Sequence, residues 1–238
     1  MQSCMGSTMK FTAFITVGPH PEHRRWLRES VYHAVNQTHP PDELLIIDDQ
    51  AHLSLDERLM IQRMVKAVGN DMSLTTHHTL WLSGIAHVLN FGVALARYPL
   101  VAHCASDDTW HPTFIERCLE AFETNARNEL CFYWVDQQVG QDRQSVPAGA
   151  GMWTKALWAA TGGFPPMSAV GGEDSVFVSL LQSGKTPATL YHVLSPEPLV
   201  NFRLHECNSQ NLIIPEAMEL VRERVLASWN TPQWTPMS

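Results

Sequence analysis

Apolar positions in this chain fall into short solid runs separated by stretches of helical period. Phe11-Thr-Ala-Phe-Ile-Thr-Val17 is rich in β-branched and aromatic residues and is stopped by Gly18-Pro19, the pattern of a buried strand. Beyond it Leu27, Val31, Ala34 and Val35 recur on one stripe, with Glu22, Arg24, Arg25 and Arg28 off that stripe, which predicts an amphipathic helix. Pro40-Pro41 ends the helix, and Glu43-Leu-Leu-Ile-Ile-Asp48 is a second short strand that closes on acids. The pattern then predicts a helix over 55–68 stopped by Gly69-Asn70, a strand over 72–76 and a helix over 84–97. Tyr98-Pro-Leu-Val-Ala-His-Cys-Ala105 reads as a further buried strand, and it delivers the pair Asp107-Asp108. Pro112 opens a helix whose apolar face is Phe114, Ile115, Cys118, Leu119 and Phe122, and Leu130–Val135 is the next strand. The polar stretch 137–147 reads as a loop, and a last apolar-faced helix (Val176, Phe177, Leu180, Leu181) opens at Gly171-Gly172-Glu173-Asp174. Strands alternating with helices predict an α/β fold, a mainly parallel sheet with helices on both faces.

Composition narrows the class. With 238 residues, 45% hydrophobic and 17% charged, the chain can bury one substantial core. It divides into a disordered N-terminal segment over 1–9, one domain over 10–206, and a C-terminal helix and loose tail over 207–238. The helix expected from Pro215 (Leu220, Val221, Val225, Leu226) either caps the core or pairs two copies into a homo-oligomer. Sixteen basic against 24 acidic residues leave a net charge of −8, with no Lys/Arg run, which disfavours nucleic acid as a partner. No run of about 18 apolar residues is present, so no integral membrane segment is expected, and the first ten residues lack the apolar core of a signal peptide. Five scattered cysteines (Cys4, Cys104, Cys118, Cys131, Cys207) with no C-x-x-C pair suit free, buried thiols and a cytoplasmic location.

Acids placed where a buried strand emerges face the ligand side of an open α/β sheet. The pair Asp107-Asp108 offers hard oxygen ligands to Mg²⁺ or Mn²⁺; the other reading is a helix cap or a solvated turn, both of which Asp favours. What surrounds the pair in sequence decides between them. Gln37-Thr-His-Pro40, Ile46-Ile47-Asp48-Asp49, Asn90-Phe-Gly92, Asp107-Asp108, Gly162-Gly163-Phe164, Glu173-Asp174 and Asn201-Phe-Arg203-Leu-His205 stand in that order. The set resembles the family 2 glycosyltransferases of the GT-A fold, over roughly residues 10–206.

The resemblance implies a metal-dependent, inverting transfer of sugar from a nucleotide-sugar donor, by family frequency a UDP-sugar, to an unknown acceptor, with Mn²⁺ or Mg²⁺ as cofactor. It implies that Asp49 accepts a hydrogen bond from the nucleotide base, that Asp108 and His205 ligate the metal, and that Asp107 meets sugar or ribose hydroxyls. Arg203 would meet phosphate, Gly163 would let the backbone approach the sugar, Asp174 would be the general base, and Glu173 would contact the acceptor. Trp110, beside the acid pair, is the one tryptophan placed to stack on a sugar. The chain departs from the family at the nucleotide pocket. Val17-Gly18-Pro19-His20 lacks the usual stacking aromatic unless His20 substitutes, Gln50-Ala51 replaces Gly-Ser, and His87 stands where a basic residue is common. These departures leave open a second reading, a non-catalytic GT-A-fold protein that binds nucleotide sugars.

Overall fold

The computed structural model describes residues 9–69, 71–80, 84–124, 130–145, 151–165, 173–184, 187–206 and 208, with isolated positions 219, 223, 224 and 227. Of Glu173 only the backbone is described, and Gly171, Gly172, Cys4, Cys207, segment 1–8 and nearly all of the predicted tail helix lie outside the described residues. In chain order the elements are β1 (Phe11–Val17), α1 (Pro21–Val35), β2 (Glu43–Asp48), α2 (Leu55–Ala67), β3 (Ser73–His78), α3 (Ile85–Leu95), β4 (Leu100–Ala105) and β5 (Thr109–Trp110). There follow α4 (Phe114–Thr124), β6 (Cys131–Val135), β7 (Gln137–Val139), β8 (Asp142–Gln144), β9 (Gly151–Thr154), α5 (Lys155–Thr161), α6 (Glu173–Gln182), β10 (Thr189–Val193) and β11 (Val200–Phe202).

A seven-stranded sheet runs in the order β10-β6-β9-β4-β1-β2-β3, parallel except for β9, which is antiparallel to both neighbours. Helices cover both faces. One apolar layer joins Phe11, Ile15 and Ile46 of the sheet to Val31 of α1, Ile61 of α2 and Cys118 of α4. The other joins Phe14, Leu45 and Trp153 to Leu89 of α3, Leu157 of α5 and Phe177 of α6. The period-2 alternation of the strands sorts Phe14 and Ile15 to opposite layers. The N-termini of the first two helices are built from local chemistry. Pro21 opens α1, where a missing N–H costs nothing, and Ser54 and Glu57 form a reciprocal capping box on α2.

Two differences from the sequence reading have physical causes. The stretch read as a loop holds the hairpin β7–β8, whose pairing extends to β11 some sixty residues on; a non-local partner leaves no mark on a local polar pattern. This second sheet, β5-β11-β7-β8, packs Trp110 into the core at 2% exposure against Phe114, ring centres 4.6 Å apart, so Trp110 offers no face to a sugar. Trp153 is likewise core, at 1% exposure. Cys104 and Cys118 are free thiols, and Cys104, Cys118 and Cys131 are all buried.

Three buried polar groups hold this frame. Asp48, at 0% exposure, accepts from the backbone amides of His52 and Leu53, each at 3.0 Å, and faces Arg58 and His78. It thereby fixes a turn in which Gln50 and His52 adopt φ of 62° and 54°, a left-handed conformation that costs a non-glycine residue roughly 1 kcal/mol. Asp136 sits between β6 and β7, where Arg143 donates to Oδ2 and His192 Nε2 lies 2.8 Å from Oδ1. Burial raises the pKa of Asp136, and hydrogen bonds from Arg143, Ser145 and His192 more than offset this, holding it below the ordinary carboxylate value. His103 of β4 puts Nε2 2.9 Å from Thr16 Oγ1 of β1, and burial pushes its pKa down to about 3. The residue keeps a little exposed surface while its ring is enclosed against Phe14, 4.9 Å away.

Two outcomes follow. Asp48→Ala strands two buried amides and is expected to cost on the order of 3 kcal/mol in urea denaturation; a loss under about 0.5 kcal/mol, the range of ordinary surface substitutions, would contradict this account of the turn. For His103, both folded and unfolded states are neutral above the ordinary histidine pKa of about 6.5. Below it the unfolded chain takes a proton that the folded one refuses until about pH 3, so stability falls as pH falls through that window. The melting-temperature advantage of wild type over His103→Gln should therefore shrink between pH 7 and pH 5, whereas parallel curves would show that the ring does not titrate as described.

Candidate functional site

The parallel register carries the ends of the central strands to one level. Val17 of β1 is opposite Asp48 of β2, Asp48 is opposite His78 of β3, and Thr16 is opposite Ala105 of β4. The chain leaves β1 for β2 and β3 on one side and returns to β4 on the other, so the crevice outside these ends is the topological switch point where open α/β sheets bind ligands. A cleft of about 280 Å³ opens there. It is lined by Thr16, Val17, Ala105 and Ser106 from the strand ends, by Gly18, Pro19 and His23 from the start of α1, and by Gly84, Ile85 and Val88 from α3. Asp49, Asp107 and Asp108 bring three carboxylates to it, and Phe202 and Asn208 complete the lining.

Asp49 is 4% exposed, with its amide bonded to the Val17 carbonyl (2.9 Å) and its Oδ1 accepting from Thr79 Oγ1 (2.7 Å). The Gln50 side chain donates to the Thr79 carbonyl and ties the same loop to the end of β3. Asp107 and Asp108 lie in a turn just past β4, closed by the Asp108 amide on the Ala105 carbonyl (3.1 Å). Asp108 Oδ1 accepts from the backbone amide of Arg203 at 3.0 Å, and Asp107 Oδ2 lies 2.8 Å from His205 Nε2. Burial, and then the neighbouring charge of Asp107, push the Asp108 carboxyl well above the ordinary range; the Arg203 amide and charge oppose them. Burial and the same two acids raise the Cys104 thiol.

The segment after β11 closes over this pair. Arg203 donates from Nε to the Asp107 carbonyl (3.0 Å) and from Nη2 to Glu29 (2.7 Å), and its guanidinium lies 4.9 Å from the Trp26 ring centre. The His205 ring also lies 4.9 Å from Trp26. Asn208 ties the turn together, accepting from the His205 amide at 2.6 Å and donating to the Arg203 carbonyl at 3.0 Å.

The structure thus gathers Val17, Asp49, Asp107, Asp108, Arg203 and His205. His87, Gly163 and Asp174 lie outside the cleft lining. His87 is exposed on α3 and does not line the cleft. His20 caps α1, accepting from the Glu22 amide at 3.2 Å, and His23 is the histidine that lines the cleft. Gly163 (φ 87°) follows the left-handed C-cap Gly162 of α5, and a Cβ on it would lie 2.5 Å from Asn90 Oδ1 and 2.9 Å from Trp158 Nε1. Asn90 accepts from Trp158 Nε1 (2.8 Å) and the Phe164 amide (2.7 Å) and donates to the Phe164 carbonyl (2.9 Å). The Asn-x-Gly and Gly-Gly-Phe motifs therefore lock each other, and glycine is required at 163 by that close approach. Asp174 is half-buried at the start of α6, with Oδ1 accepting from the Ser175 amide at 2.7 Å, outside the cleft lining. Sequence reasoning missed Thr16, His23, Thr79 and Asn208; only the position of Thr16 near the end of a strand gave any signal.

Among the described residues no three His, Cys, Asp or Glu side chains are gathered in metal-ligand geometry. The donor set nonetheless fits a hard divalent cation. Burial and the neighbouring Asp107 charge make the Asp108 carboxylate costly to ionise, a cost that a 2+ charge would relieve, and His205 adds an imidazole beside them.

Comparison with known proteins follows the same lines. The chain resembles S. aureus TarS 1–349 solved in complex with UDP-GlcNAc, with a TM-score of 0.66 and 16% identity, over 92% of this chain and 67% of that one. It resembles TarS 1–349 in complex with UDP at a TM-score of 0.65 and 16% identity (93% and 65% covered), and a longer TarS chain at 0.65 and 15% (92% and 40%). The chain thus spans about two thirds of the TarS 1–349 fragment and 40% of the longer chain, and at these identities the likeness is one of fold. No curated protein sequence matches the chain. No helix among the described residues is long and apolar enough to cross a membrane. The sequence model for glycosyl transferase family 2 matches residues 20–163, more than half of the 238, and the chain belongs to that family.

Proposed function

We propose that this chain is a metal-dependent, inverting glycosyltransferase that moves a sugar from a nucleoside-diphosphate sugar, most simply a UDP-sugar, to an acceptor hydroxyl. The observation that carries the reading is the meeting of Asp49, Asp107 and Asp108, from the ends of two strands, in one cleft at the switch point. The TarS complexes with UDP-GlcNAc and UDP support the choice of nucleotide.

Each residue has a task suited to its setting. Asp49, aimed by Thr79, accepts from the base, and Val17 and the Gly18-Pro19 turn bound that end of the cleft. Asp107 faces sugar or ribose hydroxyls. Asp108 and His205 would hold Mn²⁺ or Mg²⁺, which when bound supplies Lewis-acid stabilisation of the departing diphosphate. Arg203 already bonds Glu29 and the Asp107 carbonyl, so in this arrangement it holds the acid turn as well as bringing positive charge near phosphate. Asp174, oriented by the Ser175 amide, takes the acceptor hydroxyl proton as that oxygen attacks the anomeric carbon. A single displacement of this kind inverts the anomeric centre and needs no second carboxylate as nucleophile.

Calorimetric titration with a panel of nucleoside diphosphates, with and without Mn²⁺, tests the donor site. The expected result is binding of UDP that depends on Mn²⁺ and is lost in Asp108→Ala. Asp174→Asn should keep near wild-type UDP affinity while transfer falls at least about a hundredfold, the scale of a lost general base. Loss of UDP affinity in Asp174→Asn would remove the base assignment, and failure of every nucleotide to bind would favour the non-catalytic reading.

A further inference from the structure

We propose that one face of α1 (Trp26, Glu29 and Ser30) is the brace that positions the acid turn, with Ser30 as its principal positioning residue. The inference takes its ligand from the function proposed above, and its structural part stands without it. Asp107 and Asp108 lie past the end of β4, where no strand partner is available to the carbonyls of residues 106–108, and buried carbonyls must find donors. The fully buried Ser30 supplies them: its Oγ lies 2.8 Å from the Ser106 carbonyl and 2.6 Å from the Asp108 carbonyl, so one hydroxyl proton is shared between two acceptors. A serine inside a helix commonly bonds a carbonyl of its own preceding turn; Ser30 instead points its hydroxyl across to another element. The Asp107 carbonyl between them takes Arg203 Nε, and Arg203 is in turn held by Glu29 and by the face of Trp26.

Trp26, Glu29 and Ser30 are spaced i, i+3 and i+4, so one helical stripe holds the acid turn twice, directly through Ser30 and indirectly through Arg203. The adjoining His205 rests on the same tryptophan while it meets Asp107. Two like-charged carboxylates are thereby kept at one separation before any ligand arrives, the preorganisation that ligand orientation by outer contacts provides.

The test uses the full chain. In hydrogen–deuterium exchange without metal or nucleotide, Ser30→Ala should speed exchange in peptides covering 104–110 and 200–206 while α1 itself stays protected, and Ser30→Thr, which keeps the hydroxyl, should restore protection. In calorimetry Ser30→Ala should weaken Mn²⁺-dependent UDP binding about tenfold, the scale of a lost outer contact, and Ser30→Thr should restore it. Wild-type exchange at 104–110 in folded Ser30→Ala would overturn the inference. Should Ser30→Ala not fold, Glu29→Ala decides it, since Glu29 is 47% exposed: faster exchange at 200–206 supports the brace and unchanged exchange overturns it. If wild type binds no UDP, the proposed function fails, and the exchange measurements still decide the brace.

Discussion

Two carboxylates on adjacent residues repel each other, and taking them out of bulk water strengthens that repulsion. Much of the architecture around the cleft answers this constraint at Asp107 and Asp108. Asp108 receives a backbone amide and Asp107 an imidazole, both from the segment that follows β11. That segment reaches them because β11 pairs antiparallel with β5, the two-residue strand just after the acids. The small second sheet thus returns residue 203 to residue 108, a loop of nearly a hundred residues. Closing so long a loop has an entropic cost that grows only slowly with length, and the ladder and the contacts on Trp26 and Glu29 offset it.

A second consequence concerns neighbouring acids with opposite fates. Asp48 and Asp49 are adjacent and both nearly without exposure. Asp48 turns toward the layer under α2, where backbone amides and two basic side chains absorb its charge. Asp49 turns toward the cleft, where the Thr79 hydroxyl orients it. The first makes the second usable, because the turn that Asp48 ties down carries left-handed Gln50 and His52. Asp136 plays the same supporting part further along, where the chain passes from the large sheet to the small one.

The strand and helix order was legible because the apolar periods are long and unmixed. Phe11–Val17, Glu43–Asp48 and Leu100–Ala105 are buried runs that can form little except central strands. Their ends could be named as ligand-facing from the same pattern, since a parallel strand between two helices leaves only its carboxyl end open. Asp49, Asp107 and Asp108 were therefore readable as site residues, and the cleft contains them. Trp110 shows the limit of this. Its type and its place beside the acids suited a sugar face, but it packs into the core against Phe114.

What the sequence by itself determined is the α/β order, the strand ends and the acids placed on them, because burial period and turn chemistry are local properties. Tertiary structure alone decided which hydroxyls serve the turns that carry those acids. Ser30 and Thr79, which no motif singled out, meet the turns after β4 and β2 across separations of 78 and 30 residues. A hydroxyl or an amide has no pattern that announces a distant carbonyl or carboxylate; it acquires that role when the sheet register and helix packing bring the two within 3 Å.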